Sequence, residues 1–392
     1  MKYKTTTALA TVLALVAGTA SAEVKIGFLS DLSGATSVLT GESAKTAVEM
    51  AIADFGGTVN GEPIVLISGD HLNKPDVGLG LAREMLDLQQ VDLLQSVDNS
   101  AVALAVSDLI KGTPVMMIHG ASTAKLTNEN CLPNQIQALM DTYGLARAIT
   151  IPLVEQGEKK WFFITVDYAF GHDLEAKGIA GVQQAGGEVV GSVRHAPSTT
   201  DFSAFLLEAQ SKGATTIALA TFGNWQNTII KQAEEFGLDV TLVPYFMGIT
   251  DIKATGLDNL KGVKGAIQFY WDENDKTREF STRFEAKFGR PPTFTNAMNY
   301  EMTRHYLKGV AAVGSADADK VQGWMKANPI EMINGDVSTI RADGRVARPM
   351  YTFEVKDASE SKGDWDFLKL TGRVAPETLL LPPAESACPL LK

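Results

Sequence analysis

Cysteine is nearly absent from this sequence. Only Cys131 and Cys388 occur in 392 residues, and they are too far apart to suggest a zinc site. No CxxC and no HExxH is present. Walker A, GxSxG and kinase signatures are missing as well. The nearest approach to a dinucleotide fingerprint, "GLGLAR" at 78–83, lacks its third glycine and lies inside a helical pattern rather than at a strand-to-helix turn. Beyond the first residues no run of about 18 apolar residues could span a bilayer. Basic residues are outnumbered 35 to 46, which argues against nucleic acid or an anionic membrane as partner. Histidines are few and scattered. His71 and His119 each follow a predicted strand, His195 ends one, His305 sits mid-helix and His172 opens a helix. None has a second ligand at helical spacing, so they are read as structural groups, with no metal or cofactor expected.

What is present begins at the first residues. Lys2 and Lys4, an apolar stretch around 13–18 and the small-residue sequence Ala20-Ser21-Ala22 follow the order of a cleaved secretory signal. Residues 1–22 are therefore expected to be a leader, and the exported chain, starting at Glu23, to be soluble and periplasmic. In an oxidising compartment an even pair of cysteines favours a disulfide. Cys131–Cys388 is expected to tie the tail "ESACPLLK" to the loop "NENCLPN".

Short β-branched runs then alternate with amphipathic stretches. "VKIGFLS", "PIVLISGD", "VDLLQS" and "PVMMIHG" read as strands with helices between them. After a helix near 141–156 the pattern restarts with "KWFFITV", "EVVGSVRH", "TTIALAT" and "DVTLVPYF". This order is that of parallel, doubly wound sheets, so the fold class is α/β with two lobes. A third section carries "KGAIQFYW", helices near 276–288 and 295–313, and the strand pair "PMYTFEV" and "WDFLKL".

The loops after the strands carry the chemistry. In the first lobe "SDLSGATSVLTG", "SVDNSAVALA" and "HGASTAKLT" are rich in hydroxyls, amides and small residues, and one of them opens a helix. Asn99 or Ser100 alone would be an ordinary helix cap. Three such loops at one sheet edge point to a site for a carboxylate or another polar head. The matching loops of the second lobe are aromatic: Tyr168 and Phe170, Phe222 and Trp225, Tyr245 and Phe246. Together they suggest an apolar wall facing the polar one across a cleft. "TVDYAFGHDLEA" fits this scheme as strand end, loop and helix start, with Asp173 and Glu175 suiting the positive end of the helix.

In order and spacing, "LSDLSG", "DNSAVALAV", "HGASTAKLT", "DYAFGHDL", "DFSAFLLEAQSKGA", "FGRPP" and "PPAESACPLLK" resemble the periplasmic solute-binding proteins of branched-chain amino acid, amide and aromatic-acid ABC transporters. The resemblance covers essentially the whole exported chain. It implies two Rossmann-like lobes with parallel sheets joined by a three-stranded hinge, the type I Venus flytrap. Lobe I would hold residues 23–143 and 273–345, and lobe II residues 144–272 and 346–392 with the tail. No enzymatic activity is implied, and no cofactor. The partners implied are a small solute and the permease and ATPase subunits of a transporter, with the binding protein a monomer; a sensor reporting solute to a regulator is the alternative. Carried over by motif, Asn99, Ser100, Ala121, Ser122 and Thr123 would hold the polar end of the ligand. Phe170 and Trp225 would cover its body. At the position where amino-acid binders place an acid for the ligand ammonium this sequence has Thr250, with Asp251 next. An unpaired buried ammonium would be costly, so a ligand without one fits these loops at least as well.

Overall fold

The first strand sits in the middle of its sheet, and its composition explains why. β1 (Val24–Ser30) is apolar and buried along nearly its whole length, as a strand covered on both faces must be. The computed structural model describes residues 23–34 and 36–392; the expected leader, 1–22, lies outside the described residues. After β1 come α1 (Gly41–Asp54), β2 (Thr58–Val59), β3 (Glu62–Asp70), α2 (Pro75–Asp87), β4 (Leu93–Ser96), α3 (Ser100–Ile110), β5 (Met116–His119) and β6 (Gln135–Gln137). The sheet order is β2-β3-β1-β4-β5-β6, parallel except for the short β2. Proline at the first turn of α2 and Asn99 at the cap of α3 start those helices where the sequence places them.

Lobe II repeats the scheme. α4 (Thr142–Glu155) leads to β7 (Lys160–Val166), α5 (Ala169–Gln184), β8 (Glu188–His195), α6 (Ser203–Ser211), β9 (Thr216–Ala220), α7 (Gly223–Glu235), β10 (Thr241–Pro244) and α8 (Ile249–Thr255). Its sheet, β10-β9-β7-β8, is wholly parallel. Trp161, Phe162 and Phe163 on β7 are fully buried and anchor the core. The turn from β7 into α5 is so close that a Cβ at Gly171 would lie 2.0 Å from the Val166 carbonyl oxygen, so only glycine fits.

The third section comprises β11 (Lys264–Ile267), α9 (Asp275–Phe288), α10 (Phe294–Val313), α11 (Ala318–Ala327), β12 (Ile330–Glu331), β13 (Val337–Ile340), β14 (Val346–Ala347), β15 (Met350–Val355), β16 (Leu368–Val374) and α12 (Pro376–Leu379). α9 and α10 return to α1 of lobe I, while β11, β15 and β16 form an antiparallel sheet beside α4 of lobe II. α11 and the small sheet β12–β14 are additions to the sequence reading, which saw no pattern in so short a stretch. The strands read through "PYF" and "QFYW" stop early, at Pro244 and Ile267. Tyr245 turns into the core, where its hydroxyl meets Thr150 Oγ1 at 2.6 Å; Phe246 turns to the cleft; Gln268 leaves the strand to cross between lobes.

Besides the C-terminal tail, crossings near 137–141, 268–274 and 345–349 join the lobes. Buried side chains tie them together. Arg345 Nε donates to Asp141 Oδ2 at 3.1 Å and its Nη1 to the Leu139 carbonyl at 2.6 Å. Arg348 Nη1 reaches Glu301 Oε2 at 3.1 Å and Nη2 the Gln268 carbonyl at 3.3 Å, while Met140 N–H donates to Gln268 Oε1 at 2.8 Å. Charges this deeply buried require such satisfied partners. The tail leaves β16 in lobe II, lays α12 on α4 and ends on lobe I. There Cys388 is bonded to Cys131 with a Cα–Cα distance of 5.7 Å, and Ala387 N–H donates to Asn128 Oδ1 at 2.6 Å.

Candidate functional site

A cavity of about 40 Å³, taken as the space open to the centre of a water-sized sphere, lies between the lobes at the carboxyl ends of the strands. The lobes touch beside it, where Thr123 Oγ1 donates to Asp173 Oδ2 at 2.8 Å. One wall comes from the loops after β4 and β5: Ser96, Asp98, Asn99, Ser100, Gly120 and Ser122. Thr36, Leu39 and Thr40 after β1, and Asn73 after β3, extend it. Tyr168, Phe170, Phe222 and Phe246 of lobe II face them. Thr295, Met298 and Asn299 of α10 close one end, with Leu139 from a crossing.

The aromatic wall is a set of edge-to-face contacts. Phe170 meets Phe222 at 5.3 Å and Phe246 at 5.9 Å, with near-perpendicular rings, and Phe246 meets Phe294 of lobe I at 5.2 Å. Two lobe-II helices begin beside this wall, α5 after Tyr168 and α7 after Phe222, and neither aromatic offers a side-chain cap. Their first-turn N–H groups therefore add positive potential near the cleft.

The polar wall is organised by one turn. Ser96 and Val97 take φ of 78° and 37°, a left-handed conformation that is costly for a β-branched residue. The turn brings Asp98 to the cavity just before α3. Asp98 Oδ1 lies 2.6 Å from His71 Nε2, and Ser30 Oγ donates to Oδ2 at 2.9 Å. Burial pushes this carboxyl up, but the charge and hydrogen bond of His71, with the Thr40 and Ser30 hydroxyls, outweigh it and hold it below the usual range. Burial and the nearby Asp98 charge push the Tyr168 phenol far up, so it stays a neutral donor. Among the described residues buried Ser96 Oγ has no partner.

Four of the residues expected from sequence meet at the cavity: Asn99, Ser100, Ser122 and Phe170. Asn99 also caps α3, accepting from Ala101 and Val102 N–H at 2.8 and 2.9 Å. The other four lie elsewhere. Ala121 is fully buried behind the wall. Thr123 Oγ1 is committed to Asp173 Oδ2 at 2.8 Å. Trp225 faces an outer groove, where its Nε1 donates to the Pro197 carbonyl at 3.0 Å. Thr250 is buried in α8 away from the cavity, its hydroxyl unpartnered. Asp251 is also withdrawn: its carboxylate accepts the Gly248 N–H at 2.9 Å, and burial raises its pKa to about 6. Among the described residues lobe II thus brings no carboxylate to the cavity.

Sequence reasoning passed over Asp98, although it stands in the quoted loop "SVDNS"; its partner His71 comes from a different strand end. Thr295 and Asn299 were also missed, because α10 reaches the cleft only through the return of the chain to lobe I. Among the described residues no group of three or more His, Cys, Asp or Glu could hold a metal, and no helix is long and apolar enough to cross a membrane.

Known proteins share this arrangement. The Leu/Ile/Val-binding protein homolog 6 of Brucella abortus (strain 2308) is 25% identical over 373 residues, covering 92% of this chain and 94% of that protein. A periplasmic binding protein of Burkholderia mallei superposes with a TM-score of 0.92 at 39% identity, covering 94% of this chain and 99% of its own. A branched-chain amino acid ABC transporter periplasmic ligand-binding protein of Burkholderia xenovorans LB400 gives 0.84 at 34% identity, covering 94% and 100%. The model of the periplasmic binding protein family matches residues 23–363. With the two-lobed α/β fold and the interlobe cavity, that match over most of its length makes this chain a member of the periplasmic binding protein family, whose members bind solutes for ABC transporters and are not enzymes.

Proposed function

We propose that this protein is the extracytoplasmic substrate-binding subunit of an ABC importer. It captures a small carboxylate- or amide-bearing solute with an apolar or aromatic body and delivers it to a membrane permease coupled to an ATPase. The observation that carries this reading is the cavity itself, with hydroxyls and amides of lobe I on one side and four aromatic rings of lobe II on the other. Asn99, Ser100 and Ser122 would meet the polar end and Phe170 the body. A solute touching both walls is bound fully only when they are together, so binding and closure are coupled. The closed form would then dock on the permease, in the periplasm and as a monomer.

A thermal-shift screen against amino acids, amides, short carboxylates and aromatic acids tests this. A solute at 100 times its dissociation constant stabilises the protein by about 2.7 kcal/mol. A responder whose affinity survives Phe170→Ala unchanged would place binding outside the cleft and defeat the reading.

A further inference from the structure

We propose that Asp98 selects solutes whose polar head carries a hydrogen-bond donor, an ammonium or a carboxamide, and excludes matched carboxylates that have none. The inference rests on the solute-capture reading above and narrows its substrate class.

Among the described residues Asp98 is the only ionisable carboxylate on the cavity wall, and no lysine, arginine or histidine lines it. Its charge is held by His71 Nε2 at 2.6 Å and Ser30 Oγ at 2.9 Å. The state of His71 decides whether that charge is cancelled. The Asn73 N–H donates to His71 Nδ1 at 3.1 Å, and Nδ1 accepts only when it carries no proton. Nε2 therefore bears the ring's single proton and donates it to Asp98. Burial pushes the His71 pKa down, but the charge and hydrogen bond of Asp98, with the charges of Asp31 and Asp70, outweigh it and raise it, while the Asn73 N–H at Nδ1 opposes a second ring proton. In either state of the ring Asp98 itself stays an anionic, acceptor-only carboxylate that His71 orients.

The turn that presents Asp98 supports the assignment. Positive φ at both Ser96 and Val97 is strain that a purely structural loop has no need to keep. A carboxylate is acceptor-only, so the ligand group opposite Asp98 must donate. The acceptor end of the same head has donors available: the Tyr168 hydroxyl, the buried unpartnered Ser96 hydroxyl, and the first turns of α5 and α7. Both an amino acid and a primary carboxamide combine a donor and an acceptor within three bonds. Benzoate and simple alkanoates bring only acceptors.

The test measures affinities by calorimetry for two matched pairs, leucine against 4-methylpentanoate and benzamide against benzoate. We expect the donor-bearing member to bind at least 10-fold tighter in whichever pair fits the cavity, and Asp98→Asn to reduce that preference by at least 10-fold. If wild-type protein binds the donor-free member as tightly as its partner, the inference is overturned, whether or not the variant folds. If that equal binding is still lost on Phe170→Ala, capture in the cleft stands and only the role of Asp98 falls.

Discussion

Closure of the lobes should depend on Asp173, a residue outside the cavity. Its Oδ2 accepts from Thr123 Oγ1 at 2.8 Å, Ala124 N–H at 2.8 Å and Thr142 Oγ1 at 2.5 Å. The first two donors belong to the lobe-I loop after β5, whereas Asp173 stands on α5 of lobe II. A hydrogen bond to a charged group contributes about 1.5–3 kcal/mol, but three on one oxygen share its lone pairs and do not add in full. Ala124 N–H also has Thr142 Oγ1 at 3.1 Å, so its loss is softened. Removing the carboxylate should therefore cost the closed form about 2–3 kcal/mol relative to an open form in which water takes its place. At 1.4 kcal/mol per decade, Asp173→Ala should weaken solute binding by about 30- to 150-fold. Titration calorimetry with the strongest responder of the thermal-shift screen measures this directly. Thr123→Val should weaken binding less, and the double variant should fall short of the sum by at least about 0.5 kcal/mol, as expected for groups in contact. Small-angle scattering of the solute-free Asp173→Ala protein should show a larger radius than wild type. If Asp173→Ala lowers the melting temperature while the dissociation constant stays within about 3-fold, the three bonds persist in the open form. Asp173 is then a fixed part of the hinge and the reasoning fails.

The disulfide closes a loop of 257 residues, for which chain-entropy arguments give an upper bound of about 5 kcal/mol. Reduction, or serine at both Cys131 and Cys388, should lower the denaturant midpoint, and an unchanged midpoint would show that the bond constrains nothing. Phe222→Ala should weaken an apolar or aromatic solute by about 1.5–3 kcal/mol, since the ring lines the cavity. Trp225→Ala should leave affinity within about 3-fold, because its ring lies in an outer groove. A loss at Trp225 equal to that at Phe222 would show that the tryptophan enters the site. Asp251 contributes to the pH dependence: burial raises its folded pKa to about 6, from 3.8. The folded state then holds this proton more tightly than the unfolded chain, so its contribution favours folding at low pH and is lost as pH rises from about 4 to 6. Asp251→Asn should remove that slope from the stability profile, read by urea unfolding at several pH values; a profile identical to wild type would refute the assignment.

How far the sequence could be read depended on the range of the interactions involved. Strand order, the polar and aromatic loops and the two-lobe plan rest on local periodicity and on the rule that open α/β sheets bind at strand carboxyl ends. Each such feature is set by a few neighbouring residues, so Asn99, Ser100 and Phe170 could be placed at the cleft, and the family resemblance added Ser122. Trp225 and Thr250 show where that logic stops. Each sits in a loop or helix start at the right edge, but which way its side chain points is set by tertiary neighbours, Pro197 for one and the buried interior of α8 for the other. Asp98 was hidden differently: its importance needs His71, 27 residues away, and a left-handed turn made without glycine, which no propensity announces. Asp173 was visible but misread. A carboxylate near a helix start suits the helix dipole, yet Asp173 is the fifth residue of α5, beyond the first turn in which that effect is strong. Its three donors come from residues 31 to 50 positions away in the chain. A buried carboxylate that its own helix has little use for must be satisfied from elsewhere, and here two of the three donors, from Thr123 and Ala124, lie in lobe I, where accepting them also holds the lobes together.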